Sequence, residues 1–114
     1  MQYQIRVSRT AKSDANLAYE WTKENYSDAL AVRWFNGLVD AVNSLMTFPK
    51  RCPIATESEE LGMVLHQLLY GKGSAQYRII FSVLESESMV KVYSIWHGAR
   101  DKIESIDLDF DPIV

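Results

Sequence analysis

Side chains of the types that hold and cleave a phosphodiester are concentrated in the second half of this 114-residue chain. Between Met63 and Arg100 there are four Lys or Arg residues against two acids. The planar guanidinium of arginine matches phosphate oxygens and stays charged at any working pH, and histidine exchanges a proton near neutrality. The candidate residues are His66, Tyr70, Lys72, Tyr77, Arg78, Lys91, Tyr93, His97 and Arg100. Their types indicate a surface that could hold a phosphodiester.

Each candidate also has a plainer structural interpretation. Arg78 could pair with Glu85 or Glu87 or stay solvated, and a histidine at a strand end, such as His97, is often structural. Lys72 in a turn is typical of a solvated charge, and the tyrosines could be packing residues. The sequence contains no glycine-rich phosphate loop, no His/Cys metal spacing and no G-x-S-x-G motif. We therefore expect neither a metal nor another cofactor.

Three predicted strands position these residues: Met63–Tyr70, Gln76–Leu84 and Met89–His97. Glycine-rich and polar turns connect them. Alternate residues of the second strand are apolar and are expected to face the helices, which leaves Arg78 on the opposite, open face. The same period of two places Lys91, Tyr93 and Ile95 together on one face of the third strand.

The first half of the chain predicts one short strand and one amphipathic helix before the chain turns back. Residues 2–8 alternate polar and apolar side chains, which is typical of a strand with one buried side. From Ala11 the apolar spacing changes to three and four, which predicts a helix of about four turns that ends near Tyr26.

A second helix is expected to begin at a cap, Ser27 or Asp28. It should stop at Phe48-Pro49, because the residue before a proline is disfavoured in the α region. Gly37 is expected to let the first helix approach closely, and residues 50–62 are predicted to be a loop.

This order of elements predicts an α+β fold. An N-terminal strand and an antiparallel helical hairpin precede a mainly antiparallel three-stranded meander, and the helices should cover one face of the sheet. We expect a single domain over residues 1–104 and an acidic C-terminal tail over residues 105–114. The single Cys52 excludes an internal disulfide, and no apolar run approaches the roughly 20 residues of a membrane helix, so a cytoplasmic location is expected.

The formal net charge of −3 is unevenly distributed along the chain. Residues 101–114 hold five acids and one base, so they sum to −4, whereas residues 1–100 hold eleven bases and ten acids and sum to +1. The acidic tail could be solvated, could form an extra edge strand, or could fold back over Arg78 and Arg100 and lower the affinity for nucleic acid. The overall acidity therefore does not exclude a nucleic-acid target.

Two motifs of the second half are specific in combination. Gln76–Phe81 reads Gln-Tyr-Arg-Ile-Ile-Phe and His97–Asp101 reads His-Gly-Ala-Arg-Asp, and both follow a helical hairpin that ends in Leu-Met-Thr-Phe-Pro at Leu45–Pro49. In this order they resemble the RelE/ParE toxin superfamily of bacterial type II toxin–antitoxin systems, often described as plasmid stabilisation proteins. The resemblance covers about residues 2–104.

The resemblance implies a small toxin that is neutralised by a cognate antitoxin encoded beside it. RelE-type toxins cleave mRNA in the ribosomal A site without metal, which would make this chain a metal-independent endoribonuclease that inhibits translation. Arg78 is then implied to contact the phosphate of the transition state, and His97 to act as general acid or base beside Arg100. The candidate substrate-binding residues are His66, Tyr70, Lys72 and Lys91.

Two other functions stay open beside the nuclease. ParE-type toxins share the fold but inhibit DNA gyrase by protein contact, and a weakened homologue could persist as an antitoxin-binding partner. RelE-type nucleases are strongly basic, unlike residues 1–100, and the long helical hairpin is closer to the ParE type. The expected partners are therefore an antitoxin and either the ribosome with its mRNA or DNA gyrase, with no membrane partner.

Overall fold

Alternating residues at the start of the chain form the first strand, β1 (Gln4–Val7), of a computed structural model that describes residues 2–97. The predicted hairpin follows as α1 (Arg9–Asn25) and α2 (Asp28–Asn43). Ser8 and Ser27 cap the two helices, and each hydroxyl oxygen accepts a backbone N–H from three residues ahead, at 3.0 and 3.1 Å. Hydroxyl caps therefore set both helix starts.

The second helix ends earlier than predicted. After Asn43 the backbone tightens into a single 3₁₀ turn, Ser44–Met46, and the Ser44 hydroxyl donates to the Ala41 carbonyl at 2.6 Å. A serine that bonds the preceding turn competes with helix propagation. Phe48, before the proline, does lie outside the right-handed α region, with a φ of 48°. The helix therefore ends in two steps, first at the 3₁₀ turn and then at Phe48, rather than in the single step that was expected.

The remaining strands complete one four-stranded sheet. They are β2 (His66–Tyr70), β3 (Tyr77–Leu84) and β4 (Met89–His97), and the order across the sheet is β1-β4-β3-β2. Neighbouring strands are antiparallel except β1 and β4, which run parallel. The α+β class and the helical hairpin before the meander are confirmed, although β2 begins three residues later than expected.

The main core lies between the helices and one face of the sheet. Apolar residues of β3 and β4 meet small and branched side chains of α1 and α2, as the alternation of β3 predicts. The side chains that are less than 6% exposed in this cluster are Ala11, Leu38, Leu45, Cys52, Ile79, Phe81, Val90, Val92 and Ile95. Burial of apolar area of this kind is the main source of stability in a domain of this size.

A β-bulge between β3 and β4 changes which side chains of β4 face the helices. Ile80 pairs with Ser94, but the next residue, Phe81, pairs with Val92, so Tyr93 is the extra residue of the bulge. Ile95 therefore returns to the helix-facing core beside Val92. The expectation that Ile95 shares a face with Tyr93 is wrong, because a strict period of two cannot anticipate an inserted residue.

The opposite face of the sheet is not open over its central part. The segment of residues 53–65, which includes the one-turn helix α3 (Ser58–Leu61), lies across it and forms a second apolar cluster. This cluster consists of Ala55, Leu61, Met63, Leu65, Ile80, Tyr93 and Trp96. The prediction of an open face is wrong, because apolar residues of this segment pack on the sheet although they follow no periodic pattern that would indicate it.

Gly37 of α2 makes room for a tyrosine rather than for the first helix. The Tyr70 hydroxyl donates to the Trp34 carbonyl at 2.6 Å, and a Cβ atom on residue 37 would collide with that hydroxyl. The Trp34 and Tyr70 rings also pack together, with centroids 6.0 Å apart. The glycine therefore fixes the contact between α2 and the end of β2.

Among residues 2–97, no helix is long and apolar enough to cross a membrane. Arg100, the domain boundary predicted at residue 104 and the acidic tail of residues 105–114 lie outside the described residues.

Gly37→Ala should destabilise the protein, although a glycine-to-alanine change inside a helix ordinarily stabilises by about 1 kcal/mol. Overpacking costs about 1–3 kcal/mol, and the displaced Tyr70 hydroxyl also loses its hydrogen bond, so we expect a net loss of about 1–2 kcal/mol. Urea denaturation of the variant and the unchanged protein measures this loss in the free energy of unfolding. Asn36→Ala on the exposed side of α2 is the control, and adding Tyr70→Phe to Gly37→Ala should restore part of the loss. A stabilised single variant would contradict this account.

Candidate functional site

Arg78, the principal catalytic candidate, is held by an ion pair that the sequence did not indicate. Its Nη1 and Nη2 donate to the two carboxylate oxygens of Glu57 at 2.7 and 2.6 Å. Its Nε and Nη2 also donate to Oε1 of Gln67, at 3.0 and 2.8 Å. The expectation that Arg78 pairs with Glu85 or Glu87 or stays solvated is wrong, because the folded segment of residues 53–65 brings a carboxylate directly over β3.

This ion pair is largely removed from water. The side chain of Glu57 is 1% exposed and that of Arg78 is 17% exposed. A bidentate pair between a guanidinium and a carboxylate is among the strongest charge-assisted contacts in proteins. A phosphate bound at the Nη1–Nη2 edge of this guanidinium would displace a carboxylate that would then be buried without a counter-charge, which is strongly unfavourable.

His97, the candidate general acid or base, lies on the other face of the sheet. It is opposite Tyr77 in the register of β3 and β4, and the two rings meet edge to face with centroids 5.0 Å apart. Arg78 is opposite Trp96 in the same register. Because consecutive residues of a strand point to opposite faces, the sheet itself separates Arg78 from His97.

Two of the predicted substrate-binding residues belong to the core on the helix side. His66 is 7% exposed, its Nδ1 lies 2.9 Å from the Cys52 carbonyl, and its ring stacks on Phe81 with centroids 5.5 Å apart. Tyr70 is held by α2 as described above, and burial, together with the nearby Asp40 carboxylate, raises the pKa of its phenol. Both side chains therefore have structural partners.

The two candidate lysines are not brought together with these residues. Lys72 is exposed in the turn between β2 and β3, and Lys91 is half-buried on β4, opposite Ser82. Arg100 lies outside the described residues. Within residues 2–97, the structure thus distributes the predicted site over both faces of the sheet and a turn. The catalytic and substrate-binding roles stay predictions.

Sequence reasoning missed two carboxylates with structural roles. The sequence shows Glu57 as one acid among several in a polar loop, and only its position three residues after Ile54, which forms an isolated bridge to His66 of β2, brings it over Arg78. Asp14 looked like part of the solvated side of α1, but its Oδ2 accepts from Ser94 Oγ at 3.1 Å and from the Ile95 backbone N–H at 3.0 Å. Asp14 thereby fastens α1 to β4 just after the bulge.

A cavity of about 480 Å³ opens beside this contact. It lies between α1 and the ends of β3 and β4, and its lining contains a carboxylate, an imidazole and two aromatic rings. The lining residues are Asp14, Leu17, Ala18, Trp21, Tyr77, Ile95 and His97. His97 lines this cavity, and neither residue of the Arg78 ion pair does.

Comparison with known proteins places this chain in a family. Residues 5–102 match the family described as ParE toxin of type II toxin–antitoxin system, parDE. The chain belongs to the ParE toxin family. As a member of this family within the ParE/RelE superfamily, it is the toxin of a type II toxin–antitoxin system. The predicted resemblance is confirmed. No curated protein matches the sequence well enough to serve as a relative.

Two solved structures share the fold of this ParE-family chain. The chromosomal ParDE toxin–antitoxin system from P. aeruginosa superposes with a TM-score of 0.67 at 16% identity, over 84% of this chain and 96% of the other. The toxin–antitoxin complex RelBE2 from Mycobacterium tuberculosis superposes with a TM-score of 0.54 at 18% identity, over 85% of this chain and 99% of the other. At these identities the likeness is one of fold.

Glu57→Gln should destabilise the protein by about 3 kcal/mol, because it leaves a largely buried guanidinium without a counter-charge. The double variant, Glu57→Gln with Arg78→Gln, should lose clearly less free energy of unfolding than the sum of the losses in the two single variants. Urea denaturation of the four proteins gives the coupling free energy. The exposed pair of Lys50 and Glu85, 2.6 Å apart, is the matched control, with a coupling below about 1 kcal/mol. Additive losses at Glu57 and Arg78 would contradict the account.

Cys52 should make stability fall at alkaline pH. Burial raises the pKa of its thiol above the ordinary value of 9.0, and the Arg51 charge opposes this only in part. The stability that the buried, neutral thiol contributes is fully present below the ordinary pKa. It is lost as pH rises through the raised pKa of the folded protein. Unfolding free energies measured from pH 8 upward should therefore decline more steeply in the native protein than in Cys52→Ala. Equal slopes would show that the thiol is not linked to folding.

Proposed function

We propose that this ParE-family toxin acts by protein contact on DNA gyrase rather than by cleaving RNA, and that a cognate antitoxin neutralises it. The observation that carries the proposal is the separation of Arg78 from His97, with Arg78 already paired to the buried Glu57. The family that matches residues 5–102 is ParE, which supports the same conclusion. Both solved neighbours are toxin–antitoxin systems, which supports an antitoxin partner.

Metal-independent cleavage of RNA needs its acid–base and phosphate-binding groups within hydrogen-bond reach of one phosphate. Arg78 and His97 cannot serve one phosphate while the sheet lies between them. His66 is buried with its Nδ1 at the Cys52 carbonyl, so it cannot supply the missing group in its present position. The arrangement of these three residues favours a toxin without nuclease chemistry.

The charge of the described residues points the same way. Residues 2–97 carry ten bases and ten acids, so their formal net charge is zero. Binding to an RNA-rich surface gains affinity from each phosphate neutralised by Lys or Arg. A body with no excess of positive charge lacks this general attraction, whereas contact with a protein target does not require it. Ribosome-dependent mRNA cleavage nevertheless stays a prediction, as does the weakened homologue.

Two assays with the purified full-length chain separate the three functions. We expect inhibition of DNA supercoiling by gyrase, reversed by the antitoxin from the neighbouring reading frame, and no new ends in mRNA on programmed ribosomes by primer extension. Cleavage of that mRNA, lost in His97→Ala, would overturn the proposal in favour of the nuclease. Activity in neither assay would leave the weakened homologue.

Arg78 provides a sharper version of the same test. Because a contact toxin does not use its guanidinium, the combined Glu57→Gln and Arg78→Gln variant should keep its inhibition of gyrase within about threefold once its folding has been verified. A metal-independent nuclease should instead lose about 100-fold or more when a transition-state phosphate contact is removed. The comparison is made at protein concentrations corrected for the folded fraction.

A further inference from the structure

The cavity between α1 and the ends of β3 and β4 has the chemistry of a binding site for a positively charged side chain. We propose that it receives an Arg or Lys side chain, flanked by apolar residues, from a protein partner of this toxin. The inference rests on the proposed function only in assuming that the chain acts through protein contacts. It assigns a role to Asp14, Leu17 and Trp21, which the predicted nuclease site does not use.

The shape of the cavity suits a side chain with an apolar stem. Its volume of about 480 Å³ falls within the roughly 300–1,000 Å³ of typical ligand pockets. Ala18 and Ile95, both less than 9% exposed, form an apolar base. At the rim, Leu17 is 66% exposed and Trp21 is 54% exposed, which is unusual for large apolar residues on one side of a helix.

The polar lining of the cavity favours a cation. Within residues 2–97, both hydrogen bonds of the Asp14 carboxylate end on Oδ2, so its orientation is fixed while Oδ1 makes none. A fixed carboxylate oxygen is a strong acceptor for a guanidinium or an ammonium group. Trp21 and Tyr77 add aromatic rings to the lining, and such rings attract cations that lie over the ring face within about 6 Å of the centroid.

The distribution of charge along α1 disfavours an acidic partner segment. With 3.6 residues per turn, Asp14, Leu17 and Trp21 lie on one side of the helix, and Glu24 lies next to that side. Lys12 and Lys23 fall roughly half a turn away, on the opposite side. An acidic segment, including one with the sequence of residues 104–111, would therefore meet like charge at the rim.

A titration of the full-length ¹⁵N-labelled chain with short blocked peptides tests the proposal. The probe is Ac-Ala-Leu-Arg-Ala-Leu-NH₂, and the same peptide with Glu in place of Arg is its control. We expect the Arg peptide to shift the indole N–H signal of Trp21 and the Glu peptide to leave it unchanged. No shift with millimolar Arg peptide would overturn the proposal.

Variants show whether the carboxylate is responsible. Asp14→Asn keeps an oxygen that can accept from Ser94 and Ile95, so the fold should survive, but affinity for the Arg peptide should fall at least tenfold. Glu20→Gln removes the same charge from the exposed surface of α1 and should change affinity less than twofold. Equal losses in the two variants would mean a general charge effect and would overturn the assignment.

The proposal of a partner's side chain in the cavity would also be overturned by either of two other occupants. If a second copy of this chain fills the cavity, the Trp21 signal should move on dilution. If the chain's own Arg100 or Lys102 fills it, Arg100→Gln combined with Lys102→Gln should raise the affinity for the Arg peptide at least tenfold. The titration involves neither gyrase nor ribosomes, so its failure is distinguishable from failure of the proposed function.

Discussion

The bidentate ion pair between Glu57 and Arg78 joins the segment of residues 53–65 to the sheet. That segment has a single helical turn, and its apolar residues pack on the sheet, so its fold depends on what it covers. A carboxylate that is 1% exposed is tolerated only with a counter-charge. The pair thus fixes the segment over the second apolar cluster, and Gln67 completes the hydrogen bonds of the guanidinium.

The same pair limits what the sheet can do chemically. The free energy that holds Glu57 against Arg78 is unavailable to a phosphate, because the two anions compete for one guanidinium. A site of this kind would need the segment of residues 53–65 to move before RNA could bind, and the second apolar cluster would be exposed to water in that movement. Structural stability and a nuclease role for Arg78 are therefore opposed in this chain.

Local patterns predicted the elements well because each pattern reflects one face of one element. The alternation in β3 identified its buried side, and Ser27, one of the two predicted caps, marked where the second helix begins. The bulge at Tyr93 and the contact of Glu57 could not be predicted in this way, since both depend on how distant segments meet. Within residues 2–97 the candidate site residues are dispersed for the same reason: residue types indicate chemistry, but the side of the sheet decides which groups meet.

The bulge also explains why α1 carries the surface that is available for contact. It turns Ile95 toward the helices and presents the Ser94 hydroxyl and the Ile95 N–H to Asp14, which fixes α1 against β4 at that point. About one and two turns further along α1, Leu17 and Trp21 extend beyond the packed core and stay exposed at the rim of the cavity. A fixed helix with exposed apolar residues beside an oriented carboxylate is pre-organised, so a partner loses little free energy in ordering it. The recognition by contact that we propose therefore depends on the way the helix is fastened to the sheet.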